Sequence, residues 1–141
     1  GFSAGGASGA VRCGVGHPRH GRPAAPNALL LAYPVVTAEE YAHRGSFVQL
    51  TGTQDTAAHR RFSLEDKVSP TTPPVFVWHT MEDETVPVEN TLLLLGALHK
   101  AGVPCEAHLF EKGCHGTSIS TRKWMPTAPT ATTGCSWRWS G

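Results

Sequence analysis

The sequence predicts an α/β fold, a mostly parallel sheet flanked by helices, and three observations carry that expectation. Two short apolar runs, at residues 27–36 and 75–79, are bounded by proline or polar loops, the pattern of strands buried on both faces of a parallel sheet. A helical stretch at 88–101 leads into a third strand-like run at 105–110, the strand–helix–strand order of a right-handed crossover. The first residues, Gly1-Phe2-Ser3-Ala4-Gly5-Gly6, spell G-x-S-x-G, which sets a serine on a sharp turn between a strand and a helix and pushes its hydroxyl outward.

Taken in order, the elements differ in how firmly the residues specify them. A helix should follow Gly6 to fix the serine and aim its amino-terminal dipole at the site. Residues 7–23 resist it, because they carry Gly9, Gly14, Gly16, Pro18, Gly21 and Pro23, and each interior glycine costs a helix about 1 kcal/mol relative to alanine. A weak or broken helix is expected there. The run Asn-Ala-Leu-Leu-Leu-Ala-Tyr-Pro-Val-Val at 27–36 reads as a buried strand, with Pro34 marking its exit. The mixed segment 37–72 offers two helix starts, at Thr37-Ala38-Glu39-Glu40 and Ser63-Leu64-Glu65-Asp66, each with carboxylates in the first turn. It suits either an insertion over a site or a surface excursion.

Pro73-Pro74 precede the second strand, Val75-Phe76-Val77-Trp78-His79, and a polar loop, 80–87, lies beyond its carboxyl end, where open α/β sheets place their chemistry. In the helix at 88–101, Glu89 suits the start, Leu92, Leu93, Leu94, Leu95, Ala97 and Leu98 are apolar, and His99 and Lys100 occupy the last turn before Gly102. Pro104 restarts the chain into the strand 105–110, followed by Glu111-Lys112-Gly113-Cys114-His115-Gly116.

Composition narrows the field. The chain has 141 residues, enough for one modest core. Its net charge is +1, with acidic and basic residues scattered, so neither a nucleic-acid groove nor a membrane-binding face is expected. No apolar run reaches membrane-spanning length and no signal peptide is visible. The chain starts without methionine, inside a motif that normally follows a strand, and is read as a fragment whose upstream half is missing, which leaves the compartment open. Cys13, Cys105, Cys114 and Cys135 form no C-x-x-C pair, so Cys105 and Cys114 are expected as free thiols. His17 with His20, and Cys105 with His108, are candidate metal-ligand pairs. Neither repeats, and a closed zinc site needs four ligands, so no metal is expected.

Three chemistry-bearing residues stand at the ends of expected strands in the order Ser3, Asp83, His115. A serine hydroxyl is a poor nucleophile alone, an imidazole titrates near neutrality and can take and return its proton, and a carboxylate holds the imidazole in one tautomer. The order serine, acid, histidine is the one that accompanies G-x-S-x-G on this kind of sheet. On residue type alone, Glu82 and Glu84 compete with Asp83, a solvated charge cluster accounts for all three, and His115 could be a surface-loop histidine. His79, at a strand end, reads as a structural or supporting residue.

Gly-Phe-Ser-Ala-Gly-Gly, the acid loop Asp83-Glu84-Thr85-Val86-Pro87-Val88-Glu89-Asn90 and the histidine loop Lys112-Gly113-Cys114-His115-Gly116 resemble those of α/β-hydrolases, closest to bacterial acetyl-xylan-esterase-like carbohydrate esterases. Tyr33-Pro34-Val35 and Ala42-His43-Arg44-Gly45-Ser46-Phe47 are similar to that family too. The resemblance covers residues 23–120 and the first six. It implies the carboxyl-terminal part of an α/β-hydrolase fold, incomplete, in a single partial domain over 1–141. It implies a carboxylic ester hydrolase, often removing acetyl groups from sugars, with no cofactor and with a small-molecule or oligosaccharide ester as its partner. By position, Ser3 is then the nucleophile, Asp83 the acid, His115 the base, and the backbone N–H of Ala4 one oxyanion donor. Asp83 is preferred over its neighbours because the family places its acid three residues before the valine of Val86-Pro87.

Two stretches, 7–22 and 121–141, depart from the resemblance. Members usually continue past the two glycines with His-Leu-Ala and an amphipathic helix. Suitable synonymous codons for 7–16, read one nucleotide later, encode His-Leu-Ala-Leu-Ser-Val-Ala-Ala-Trp-Gly, and a shifted frame likewise restores an amphipathic helix in the tail. Frameshifts at both ends are therefore expected, together with a weakened support for Ser3. The missing half would hold the second oxyanion donor, and loss of one such donor costs about 10²–10³ in rate, so an inactive fragment is among the expected outcomes. The rival readings are a serine peptidase of the prolyl-oligopeptidase type, with the same triad order, and a non-catalytic binding or structural fragment.

Overall fold

The structure is a computed structural model that describes residues 18–19, 22–23 and 26–116. Ser3, Ala4, most of 7–22, and 121–141 lie outside the described residues. In chain order the elements are β1 (Pro18–Arg19), β2 (Arg22–Pro23), β3 (Leu29–Ala32), α1 (Arg44–Thr51), α2 (Thr56–Arg60), a 3₁₀ turn (Glu65–Lys67), β4 (Val75–Thr80), α3 (Glu89–Lys100) and β5 (Cys105–Phe110). β3, β4 and β5 form a parallel sheet in that order, with Leu29 opposite Val75 and Val75 opposite Cys105. The expected α/β class is the observed one. Among the described residues no helix is long and apolar enough to cross a membrane.

Alternation along β4 sends Val75, Val77 and His79 toward α3, where Leu31, Leu94, Leu98 and Val103 close the core with Val35, Val36, Phe47, Leu64 and Val86. Each such side chain contributes about 1.5–3 kcal/mol by leaving water. The opposite face corrects the expectation of strands buried on both sides. Phe76 and Trp78 are only half-buried and Leu30 is 67% exposed. Aromatic rings line this second face, with Trp78 edge-on to Phe110 at 6.2 Å and Phe76 5.4 Å from His108.

The helix ends follow from the residues. Past Lys100, the N–H of Gly102 donates to His99 O at 3.1 Å and the N–H of Val103 to Leu98 O at 3.0 Å. Two otherwise orphaned carbonyls are satisfied in this way. The first expected strand is shorter than its apolar run, because Tyr33 takes a positive φ of 37° and turns the chain one residue before Pro34. The helix start at Thr37 is corrected. Asn90 Oδ1 accepts the N–H groups of both Val36 and Thr37, Thr37 Oγ1 accepts that of Glu39, and the chain turns before α1 begins at Arg44. The start at Ser63 yields a single 3₁₀ turn, because the Ser63 hydroxyl is committed to the Ala38 N–H at 3.0 Å. Within 7–23, where a broken helix is expected, the described residues instead pair as antiparallel β1 and β2, Pro18 opposite Pro23. Prolines suit that pairing better than a helix interior. The segment 37–72 is no surface excursion, since Phe47 and Leu64 belong to the core.

One buried side chain joins these parts. Asn90, in the first turn of α3 and fully buried, accepts from Val36 and Thr37 and donates to Tyr41 O at 2.9 Å and Pro87 O at 3.0 Å. The turn after β3 and the loop after β4 are thus tied to one amide. Leaving such buried groups unpaired costs about 1–3 kcal/mol each. Asn90→Leu is therefore expected to lower unfolding free energy by about 3 kcal/mol or more, measured by urea denaturation; a loss below about 0.5 kcal/mol would show that these bonds contribute nothing net.

Candidate active site

Asp83 lies three residues beyond β4, in the loop that leads into α3, and its carboxylate is fully buried. A buried carboxylate needs donors, and the loop supplies them. Oδ1 accepts the backbone N–H of Thr85 at 3.0 Å and of Val86 at 2.9 Å. Oδ2 meets His115 Nδ1 at 2.7 Å and His79 Nε2 at 3.2 Å. Burial by itself raises the carboxyl pKa. The bonds from His79, the Val86 amide and His115, with the attraction of His115, outweigh it and bring the pKa from 3.8 down to about 2. The carboxylate is therefore ionised throughout the neutral range.

His115 follows β5 on a loop in which Gly113 and Gly116 have φ of 141° and 83°, a backbone that side-chain-bearing residues rarely adopt. These two residues let the loop turn back so that the imidazole, 18% exposed, reaches Asp83. A carboxylate opposite Nδ1 fixes the proton there and makes Nε2 the acceptor of the neutral ring. The ring is braced on its side by Tyr33, edge-on with centroids 4.7 Å apart, and Tyr33 in turn meets Trp78 at 4.9 Å. The positive φ of Tyr33 puts a large side chain in a sparsely populated backbone region, and its ring lies directly against His115.

Of the three neighbouring carboxylates, Asp83 is the one His115 meets. Glu82 accepts the Gly113 N–H at 3.3 Å and so steadies the histidine loop, while Glu84 is exposed. His79 is fully buried, with Nε2 2.9 Å from Val86 O and Nδ1 2.7 Å from Thr91 Oγ1. Cys105 is exposed and Cys114 half-buried, both as free thiols. His108 pairs with Glu106 at 2.8 Å. His17 and His20 lie outside the described residues, as do Ser3 and Ala4. The sequence did not signal the brace at Tyr33 or the clamp at Asn90. Tyr33 lies inside an apolar run that masks its turn, and Asn90 enters the sequence reading only as the last residue of the acid-loop motif.

Residues 1–127 match the prolyl oligopeptidase family. Over 96 residues, 67% of its length, the chain is 40% identical to endo-1,4-beta-xylanase B of Butyrivibrio fibrisolvens. Over 102 residues, 68% of its length, it is 31% identical to the acetylxylan esterase of Xylanibacter ruminicola. It spans 15% and 21% of those two relatives. The crystal structure of an acetyl ester-xyloside bifunctional hydrolase from Caldicellulosiruptor lactoaceticus superposes with a TM-score of 0.74 at 40% identity, over 85% of this chain and 47% of that one.

The lowered pKa of Asp83 gives a pH signature. A carboxylate whose folded pKa lies below its unfolded value stabilises the fold above the unfolded pKa, and that stabilisation disappears as pH falls through the folded one. From 3.8 to about 2, the contribution near neutrality is about 2 kcal/mol. Asp83→Asn is expected to remove it and to flatten the stability profile between roughly pH 4 and 2, read from thermal melts; an unchanged acid limb would contradict the bonding described.

Proposed function

The chain belongs to the prolyl oligopeptidase family of α/β-hydrolases, and from that premise we propose that it hydrolyses carboxylic esters through an acyl-serine intermediate. The observation that carries the reading is the 2.7 Å bond between Asp83 and His115 beyond the carboxyl ends of parallel strands. It leaves the imidazole as an oriented base whose Nε2 faces the task of deprotonating an alcohol. Ser3 supplies that alcohol by its place in G-x-S-x-G.

In this mechanism Ser3 Oγ attacks the ester carbonyl while His115 Nε2 takes its proton, giving a tetrahedral intermediate whose oxyanion is met by the Ala4 N–H. The intermediate collapses, the C–O bond to the alcohol breaks, and His115 returns the proton to the leaving oxygen. Water then attacks the acyl-serine with His115 again as base, releasing the carboxylic acid and restoring Ser3. Asp83 stays ionised and balances the imidazolium formed at each step. The reaction consumes only ester and water.

The names of the relatives favour acetyl groups on xylan-type sugars as the ester. An oligosaccharide ester is thus the proposed partner. Ser3→Ala is expected to lower kcat on 4-nitrophenyl acetate by on the order of 10⁶, and Asp83→Asn by about 10⁴ through loss of the correct tautomer. A fluorophosphonate should label wild-type protein at Ser3, as read by peptide mass spectrometry. Labelling elsewhere, or full activity in Ser3→Ala, would remove the mechanism, and faster turnover of prolyl peptide amides than of acetyl esters would replace the esterase reading with a peptidase.

A further inference from the structure

We propose that His79 is a positioning residue for this reaction: its Nε2, whose proton is directed to the Val86 carbonyl, lies 3.2 Å from Asp83 Oδ2 and confines that oxygen, so that the carboxylate meets His115 Nδ1 in one orientation. The inference rests on the reading of Asp83 and His115 as acid and base, and it assigns a second histidine to the same carboxylate oxygen.

The tautomer follows from the partners. Nε2 faces two groups that can only accept, the Val86 carbonyl at 2.9 Å and Asp83 Oδ2 at 3.2 Å, so it bears a proton whatever the charge of the ring. Nδ1 faces the Thr91 hydroxyl at 2.7 Å, which can serve as donor or acceptor. The ring is therefore held on both sides, by α3 through Thr91 and by the acid loop through Val86. Because β4 alternates, His79 points to the helix side of the sheet with Val75 and Val77, and the ring is fully buried. Filling that space would require only an apolar side chain.

The geometry of the carboxylate gives the contact its purpose. Both backbone donors, from Thr85 and Val86, converge on Oδ1. A carboxylate gripped at one oxygen can still pivot about it, carrying the other oxygen out of the imidazole plane. His79 supplies the second fixed point, independent of His115. The groups around the pair are Thr91 from α3, the Val86 carbonyl from the acid loop, and Tyr33 and the Glu82-bound Gly113 on the His115 side.

Three substitutions test this. His79→Leu removes the donor, His79→Gln restores an N–H donor near the Nε2 position, and Thr91→Val releases the far side of the ring while leaving it in place. For 4-nitrophenyl acetate, His79→Leu is expected to lower kcat by about 10- to 100-fold with little change in KM, the usual size for loss of a partner that orients a functional group. His79→Gln should recover most of it, and Thr91→Val should show a smaller loss in the same direction. The low-field proton resonance of His115 Nδ1–H should broaden or move in His79→Leu and return in His79→Gln.

Wild-type kcat and an unmoved resonance in His79→Leu would overturn the proposal. Were that variant not to fold, the same result in Thr91→Val would do so. Equal losses in the Leu and Gln variants that track melting temperature would also overturn it, as a purely structural role. The two readings fail separately, because a resonance that responds in a protein without Ser3-dependent hydrolysis would keep the positioning role and remove the esterase.

Discussion

A buried negative charge has to be surrounded by donors, and the carboxylate of Asp83 is the charge around which this structure is arranged. Removing an ion from water costs several kcal/mol unless hydrogen bonds replace the water. Three donors do so here, two amides on one oxygen and the His115 imidazole on the other, with His79 Nε2 3.2 Å from that second oxygen. These groups come from the acid loop, the end of β4 and the loop after β5. Satisfying the charge therefore brings together segments more than thirty residues apart, and the same bonds that stabilise the carboxylate orient the histidine.

The rest of the sheet serves that convergence. Parallel pairing of β4 with β5 sets the ends of both strands side by side, with Thr80 opposite Phe110, so the loops that follow them meet. The core against α3 holds the register, and Asn90 ties the segment after β3 to the first turn of α3 through three hydrogen bonds and the loop after β4 through a fourth. Tyr33 begins the segment after β3 and braces His115. Packing of apolar side chains thus fixes the strands, while a few fully satisfied polar groups fix the loops to finer tolerance. Such networks rigidify only when every member is paired, as every polar atom of the Asn90 side chain is.

Much of this was legible in the residues because the signals were local. The helix over Glu89–Lys100 and the strand over Cys105–Phe110 follow from apolar spacing and from Gly102 and Pro104 at their junction. Asp83 and His115 were legible because each sits in a loop just past a strand, flanked by residues that suit such loops. Thr37 misled, since its helix-starting neighbourhood is overridden by Asn90, 53 residues away, and no local pattern announces a distant amide. Burial misled for Phe76 and Leu30, because an apolar run states which residues could be covered and not what covers each face. The strain at Tyr33 and the second imidazole on Asp83 depend on three-dimensional approach and left no mark in the spacing.

The proposed relay makes one structural demand, that a serine hydroxyl lie within reach of the nitrogen which Asp83 leaves as acceptor. The most direct measurement is a crystal structure of the protein after reaction with a fluorophosphonate. The account predicts phosphorus bonded to Ser3 Oγ, with His115 Nε2 within hydrogen-bond distance of that oxygen and Nδ1 still on Asp83. An adduct on another side chain, or one on Ser3 with the His115 ring turned to a different surface, would contradict it.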